Sequence, residues 1–373
     1  MGDRLHGENS GTISHYVETL CQEITHTNAS NEPLKTIFFG GGTPSLLSVN
    51  QLQKIVDTLK SQFGIAEDAE ISIEIDPGTF TLEQLQGYCL AGVNRVSLGV
   101  QAFQPELLKI CGRSHTVADI YTAVETIRTV KVPSFSLDLI SGLPHQSLTQ
   151  WQDSLNRVVA IAPNHLSIYD LQIEPGTAFN RYYQAGEQPL PTDDTTAQMY
   201  RMAQQVLTSA GYEHYEISNY AQPLHQCRHN QVYWHNQPYY GFGMGATSYV
   251  QGQRFTRPRQ TQKYYQWVKD YIAVDGVLDC SQAPLNEVLL ETLMLGLRLS
   301  EGINLATLAQ QFGVETVAEI WQCLQPYCQR GWVELVETDR LRLTDPEGFL
   351  FSNTVLARLF RQIGSELDSS VGL

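Results

Sequence analysis

The stretch TIFFGGGTPSLLSVNQLQKIVDTLKSQFG, residues 36–64, decides how this chain is read. Thr36–Phe39 is a short apolar run that ends in Gly40, Gly41 and Gly42, followed by Thr43 and Pro44. An amphipathic segment, Val49–Phe63, then opens near Ser48. A short apolar run, glycine punctuation and a long amphipathic run make one strand–turn–helix unit. Consecutive glycines let backbone N–H groups approach a ligand with no Cβ in the way. On these residues alone the triplet serves equally well as a tight turn needing positive φ. It is not a P-loop, because no Gly-Lys-Ser/Thr follows.

The same unit recurs along the chain. Further candidate strands are Ile71–Ile75, Arg95–Gly99, Ser134–Ile140, Leu166–Leu171 and Tyr212–Ile217. Candidate helices are Ile13–Thr27, Leu82–Ala91, Val117–Val130, Leu148–Ile161 and Thr195–Ala210. Strand then helix, repeated about six times, predicts an α/β fold with a parallel sheet and crossover helices. The runs ISIEI and FSLDLI are continuous and apolar except at one acidic position each, as strands buried on both faces require. Function on such a sheet sits at the C-terminal strand ends. Cys227–Pro258, dense in aromatics, Gly and Asn, breaks the pattern. After Leu285, three helical segments and the hairpin-like WVELVETDRLRLT predict a small winged-helix-like domain. The expected division is residues 1–220, 221–284 and 285–373.

Composition narrows the function classes. Lys and Arg number 24 against 39 Asp and Glu, a net charge of −15 that repels a nucleic-acid backbone. No apolar run approaches the ~18–20 residues that span a bilayer, and MGDRLHGENSGTIS lacks the apolar core of a secretory signal. Seven cysteines in 373 residues do not make a disulfide scaffold. The expected compartment is a reducing cytoplasm.

Four further positions stand out in and around these strands. Glu74 lies one residue before the end of EISIEI and suits either a ligand or an internal ion pair. Gln101 follows a strand ending in glycine and offers both donor and acceptor, while Arg113 could fork onto a carboxylate or simply face solvent. Asp138 interrupts an apolar strand, where an unpaired carboxylate is costly, and is the hardest of these to explain as plain structure.

GGGTPS, EIDP, SLGVQAF and DLISGLPHQ stand in the order and spacing of the radical S-adenosylmethionine (SAM) family related to oxygen-independent coproporphyrinogen III oxidase, which the chain resembles over nearly its whole length. The resemblance implies a partial (β/α)6 radical-SAM-type barrel and a C-terminal winged-helix-like domain. It also implies SAM and a [4Fe–4S] cluster at the strand C-termini. Carried over, Gly41, Gly42 and Thr43 would contact SAM, and Glu74, Gln101, Arg113 and Asp138 would hold its polar groups. His229-Asn230-Gln231-Val232-Tyr233-Trp234 matches the HNxxYW motif of the heme chaperone branch, so the resemblance implies heme binding through His229, Asn230, Tyr233 and Trp234. His235 and Cys227 are alternative iron ligands.

One family element has no counterpart. The cluster motif CxxxCxxC occurs nowhere in the chain; Cys21 lies mid-helix, and Cys323 and Cys328 read as helix-packing residues. The resemblance therefore implies a barrel missing its first strand, with Thr36–Phe39 as a poorly protected edge. A cluster-bearing segment is expected upstream of Met1, and a chain extended by that strand should be more soluble and more stable. The chain as it stands should take up no cluster on anaerobic reconstitution. The functional expectation is a heme chaperone passing heme to hemoproteins, respiratory ones at the membrane surface among them. The alternatives are a decarboxylating coproporphyrinogen III oxidase and a cluster-free binding protein.

Overall fold

The computed structural model describes residues 10–29, 32–176, 178–184, 186–277, 283–337 and 339–370; the polar residues 1–9 lie outside this set. Its strands are β1 (Leu34–Phe39), β2 (Ile65–Ile75), β3 (Arg95–Gln101), β4 (Ser134–Ser141), β5 (His165–Asp170), β6 (Glu213–Glu216), β7 (Asn219–Ala221), β8 (Thr247–Val250), β9 (Gln253–Thr256), β10 (Ile303–Asn304), β11 (Val333–Val336) and β12 (Arg340–Leu343). Its helices are α1 (Ser10–Thr25), α2 (Val49–Phe63), α3 (Leu82–Leu90), α4 (Pro105–Ile110), α5 (Val117–Val130), α6 (Leu148–Ile161), α7 (Ala178–Tyr182), α8 (Asp193–Ser209), α9 (Arg228–Trp234), α10 (Thr261–Ala273), α11 (Leu285–Gly296), α12 (Leu305–Phe312), α13 (Val314–Gln329), α14 (Glu347–Leu350) and α15 (Ser352–Ser370).

Strands β1 to β7 form one sheet in the order β1-β2-β3-β4-β5-β7-β6. Pairing is parallel for β1 with β2 and for β4 with β5. The expected helices α2, α5 and α6 have the boundaries that the sequence predicts. Ser48 and Ser147 explain two of those starts, each forming a reciprocal capping box with the glutamine three residues on. β2 begins at Ile65 rather than Ile71, through a half-covered segment whose Glu67 and Asp68 are exposed. The last unit departs from the parallel pattern. β6 joins the sheet through β7, which runs antiparallel to both β5 and β6. The turn between them is Ile217-Ser218, held by the Ser218 N–H donating to Glu216 Oε2 at 3.2 Å.

The chain divides into two compact units. The first comprises the residues up to Val96, Val124–Pro133 and Gln237–Ala283. Within it α1 packs on α2 and α10, and β8–β9 form a hairpin turning at Gln251-Gly252, both with positive φ. Its interior holds an ion pair shut off from water: Arg257 Nε donates to Glu23 Oε1 at 2.7 Å. Tyr264 donates to the other Glu23 oxygen at 2.6 Å, and the Gly243 N–H at 3.0 Å. The Arg257 guanidinium also lies over the rings of Phe255, Trp267 and Phe242.

The second unit comprises Ser97–Ala123, Ser134–Asn236 and Pro284–Leu373. Its C-terminal part has the expected helices α11, α12 and α13 and the β11–β12 hairpin. β10 adds a third strand, giving the order β10-β12-β11. Leu293, Leu297, Ile320, Leu324, Leu341 and Leu359 are among the residues at its core. Helices α14 and α15, not anticipated from sequence, complete it. Arg201 on α8 grips Glu347 on α14 with two parallel hydrogen bonds of 2.6 and 2.8 Å. No helix among the described residues is long and apolar enough to cross a membrane.

Candidate functional site

In the first unit, β1 delivers the glycine run at its C-terminal end. Gly41 and Gly42 have φ of +74° and +61°, so the turn reading is right about the backbone. A Cβ added at either would meet nothing within 4 Å, so this backbone faces open space. Gly40 differs: a Cβ there would strike the Phe38 ring and lie 3.0 Å from Glu74 Oε1. The Gly41 N–H donates to Glu74 Oε2 at 3.1 Å. Glu74, near the end of β2, thus clamps the glycine loop onto the neighbouring strand. Thr43 precedes a turn of 3-10 helix at Pro44–Leu46, and its hydroxyl does not cap that turn.

In the second unit, Gln101 ends β3 with φ +66° while only 8% exposed. A non-glycine residue held in the left-handed region at a strand end is a strained feature of the kind found at functional sites. Its side-chain amide has no hydrogen-bond partner among the described residues, although the residue is buried. Arg113 follows α4 and is half-buried, its N–H bonded to Leu108 O at 2.9 Å. Asp138 sits mid-strand on β4 and is also half-buried. Ser97 Oγ on β3 donates toward both Asp138 oxygens at 2.9 Å, and Ser136 Oγ lies 3.3 Å from Oδ1. A carboxylate held this way is oriented by its hydroxyl partners.

The HNQVYW segment forms α9, a short helix with no buried residue. His229 and Tyr233 are one turn apart on the same helical face. Their rings meet edge-on at 5.1 Å, and His229 Nε2 lies 2.8 Å from the Tyr233 hydroxyl. Tyr233 is 39% exposed, while Asn230 and Trp234 are half-exposed. The two alternative iron ligands differ from His229 in setting. Cys227 is buried at the N-cap of α9, and His235 is exposed beside Glu301, 3.6 Å away.

Sequence reasoning named Asp138 but missed the groups that hold it. Ser97 shares strand parity with Gln101, and Ser136 with Asp138, so period-two alternation alone puts each pair on one face. Two more polar residues, His165 and Tyr215, are buried nearby in the chain of contacts leading from Ser136.

The residues present fit SAM better than they fit an iron–sulfur cluster. Open backbone at Gly41 and Gly42 and the unpartnered Gln101 amide both suit a polar ligand. A cluster with one open iron needs three thiolates at short spacing. Among the described residues no group of three metal-ligating side chains assembles. The thiols also sit in the wrong environments: burial raises the Cys21 thiol and pushes that of Cys111 up to about 11. The cysteines described here do not hold a cluster.

Comparison with known proteins matches this architecture. The radical SAM superfamily matches residues 13–158, and the HemN C-terminal domain matches residues 283–351. The heme chaperone HemW of Synechocystis is 47% identical over 365 residues, covering 94% of this chain and 88% of that protein. HemW of Bacillus subtilis is 33% identical over 359 residues, covering 95% and 93%. Among solved structures, Escherichia coli coproporphyrinogen III oxidase HemN, a radical SAM enzyme, superposes with a TM-score of 0.79 at 23% identity, over 94% of this chain and 84% of that one. That likeness establishes the fold, a radical SAM partial barrel with an appended C-terminal domain. The extent and identity of the HemW matches go further, and the chain belongs to the HemW family of heme chaperones within the radical SAM superfamily.

Proposed function

We propose that the chain binds heme on α9 and passes it to hemoprotein clients. The observation that carries this is the placement of His229 and Tyr233 one turn apart on a helix that buries none of its residues. An imidazole on a helix with no fully buried residue can reach an iron atom, and the Tyr233 and Trp234 rings beside it offer flat apolar surface to a porphyrin. The HemW relatives, heme chaperones by name, support the same reading. Cys227 is the weaker ligand because its thiol is buried. His235 is the C-cap of α9 and lies outside the HNQVYW segment.

The resemblance assigns two residue sets to SAM. When bound, SAM supplies a sulfonium centre between an amino-acid head and a ribose. In the first unit, Glu74 takes the Gly41 N–H and so fixes the glycine loop, leaving open space beside Gly41 and Gly42 for a polar group. In the second, Gln101 presents a free amide, Arg113 a guanidinium and Asp138 a carboxylate oriented by two serines. A carboxylate suits ribose hydroxyls or an ammonium, and a guanidinium suits a carboxylate.

The test is a hemin titration followed by the Soret band. The wild-type chain should bind one hemin, and His229→Ala should lose that binding while its circular dichroism and melting temperature stay unchanged. Unaltered hemin affinity in His229→Ala would sink the assignment. The oxidase alternative predicts turnover of coproporphyrinogen III with SAM, and the HemN likeness supports it only at the level of fold.

A further inference from the structure

A line of polar groups runs through the interior of the second unit, from Asp138 to the entry of α9. Ser136 Oγ lies 3.3 Å from Asp138 Oδ1 and 2.9 Å from His165 Nδ1. His165 Nε2 lies 2.8 Å from the Tyr215 hydroxyl. The Tyr215 oxygen in turn accepts the Cys227 N–H at 3.3 Å. Cys227 is the N-cap of α9, and no side chain caps that helix. Ser136, His165, Tyr215 and Cys227 are all buried, at 1%, 2%, 4% and 3% exposure, so water does not compete for these bonds.

Counting protons gives the line a direction. An ionised carboxylate only accepts. Ser136 has one proton, and once it points at Asp138 the serine oxygen is left to accept from His165 Nδ1–H. A neutral imidazole protonated at Nδ1 has Nε2 as its acceptor. Tyr215 fills that acceptor with its own proton, and its oxygen stays open to the Cys227 N–H. Every donor then points toward Asp138. The reverse tautomer would have both Nε2–H and the Cys227 N–H donate to the Tyr215 oxygen, would send the Tyr215 proton out of the line, and would draw the Ser136 proton away from the carboxylate.

We propose that His165 and Tyr215 are positioning residues for the heme-binding helix. The charge on Asp138 sets the polarity of the chain, and the chain holds the Cys227 amide that starts α9. Neither residue touches heme. The proposal rests on the assignment of heme to α9. It also implies that occupancy at Asp138 and at α9 affect each other by the same factor in both directions.

Three measurements test it. In protein with 15N-labelled histidine, His165, identified by the signal lost in His165→Gln, should show the Nδ1–H tautomer; an Nε2–H tautomer overturns the direction assigned to the chain. The backbone amide resonance of Cys227 should move in Tyr215→Phe and in each of Ser136→Ala and Asp138→Ala; a resonance unmoved in all three overturns the connection. Hemin affinity should fall about three- to tenfold in Tyr215→Phe, the range expected for one buried hydrogen bond, with an unchanged circular dichroism spectrum. Unchanged hemin affinity in Tyr215→Phe, where His229→Ala abolishes binding, overturns the positioning role. Should His229→Ala leave hemin binding intact, the assignment of heme to α9 fails instead, and the tautomer and the amide resonance still decide whether the chain exists.

Discussion

His229 is not an idle imidazole, since the Tyr233 hydroxyl occupies its Nε2. At the proposed heme site, iron ligated through the same nitrogen would have to displace that hydroxyl. Removing one net hydrogen bond worth about 0.5–1.5 kcal/mol should therefore tighten binding. Tyr233→Phe is expected to raise hemin affinity by roughly two- to tenfold. A matched loss of affinity would mean that the tyrosine oxygen, not the imidazole, meets the iron. Glu216 offers a second residue-scale test. It is completely buried, and burial raises its carboxyl from 4.5 to about 7 against the opposing pull of its hydrogen bonds and of Arg298. The folded state therefore holds an extra proton between those two values, and stability falls as pH rises through that window. A shift of this size corresponds to something on the order of 3 kcal/mol. Glu216→Gln should flatten the dependence of melting temperature on pH from about 4.5 to 7; parallel curves for the two proteins would refute it.

At the scale of elements, what could be read from sequence follows local signals. α2 and α6 were legible because Ser48 and Ser147 announce their starts and apolar residues recur on one face. β7 was not, because three residues after a two-residue turn carry no periodicity to read. α9 was missed as a helix for a related reason: it buries nothing, so it has no apolar stripe. The polar partners of Asp138 were in principle readable from strand parity, whereas the contact of His165 with Tyr215 crosses fifty residues of chain and was not. The Glu23–Arg257 pair, joining α1 to the segment after β9, was equally invisible. Glu23→Ala would leave a buried guanidinium with no carboxylate, at a cost of about 3–5 kcal/mol. Glu23→Gln/Arg257→Met should recover much of that loss. Urea unfolding of the single and double variants measures it, and a double variant less stable than Glu23→Ala would contradict the account.

Across the whole molecule, the two family matches bracket a chain that keeps the residues the resemblance assigns to SAM and the HNQVYW segment but contains no CxxxCxxC. The parallel α/β pattern made the sheet legible from end to end, apart from its antiparallel finish at β7. β1 terminates that sheet, with no strand beyond it among the described residues. Its Phe38 and Phe39 are half-exposed, and Lys35 is its one charged residue. Backbone groups along such a margin invite pairing with another chain. Light scattering should show apparent mass rising with protein concentration, and Thr36→Lys should suppress the rise. A concentration-independent monomer would count against it. The same margin makes Leu34–Phe39 a template: a short β-forming peptide supplied in trans would zip onto it in register, as the complementary fragment of a split protein does, and would convert a sticky border into an interior seam.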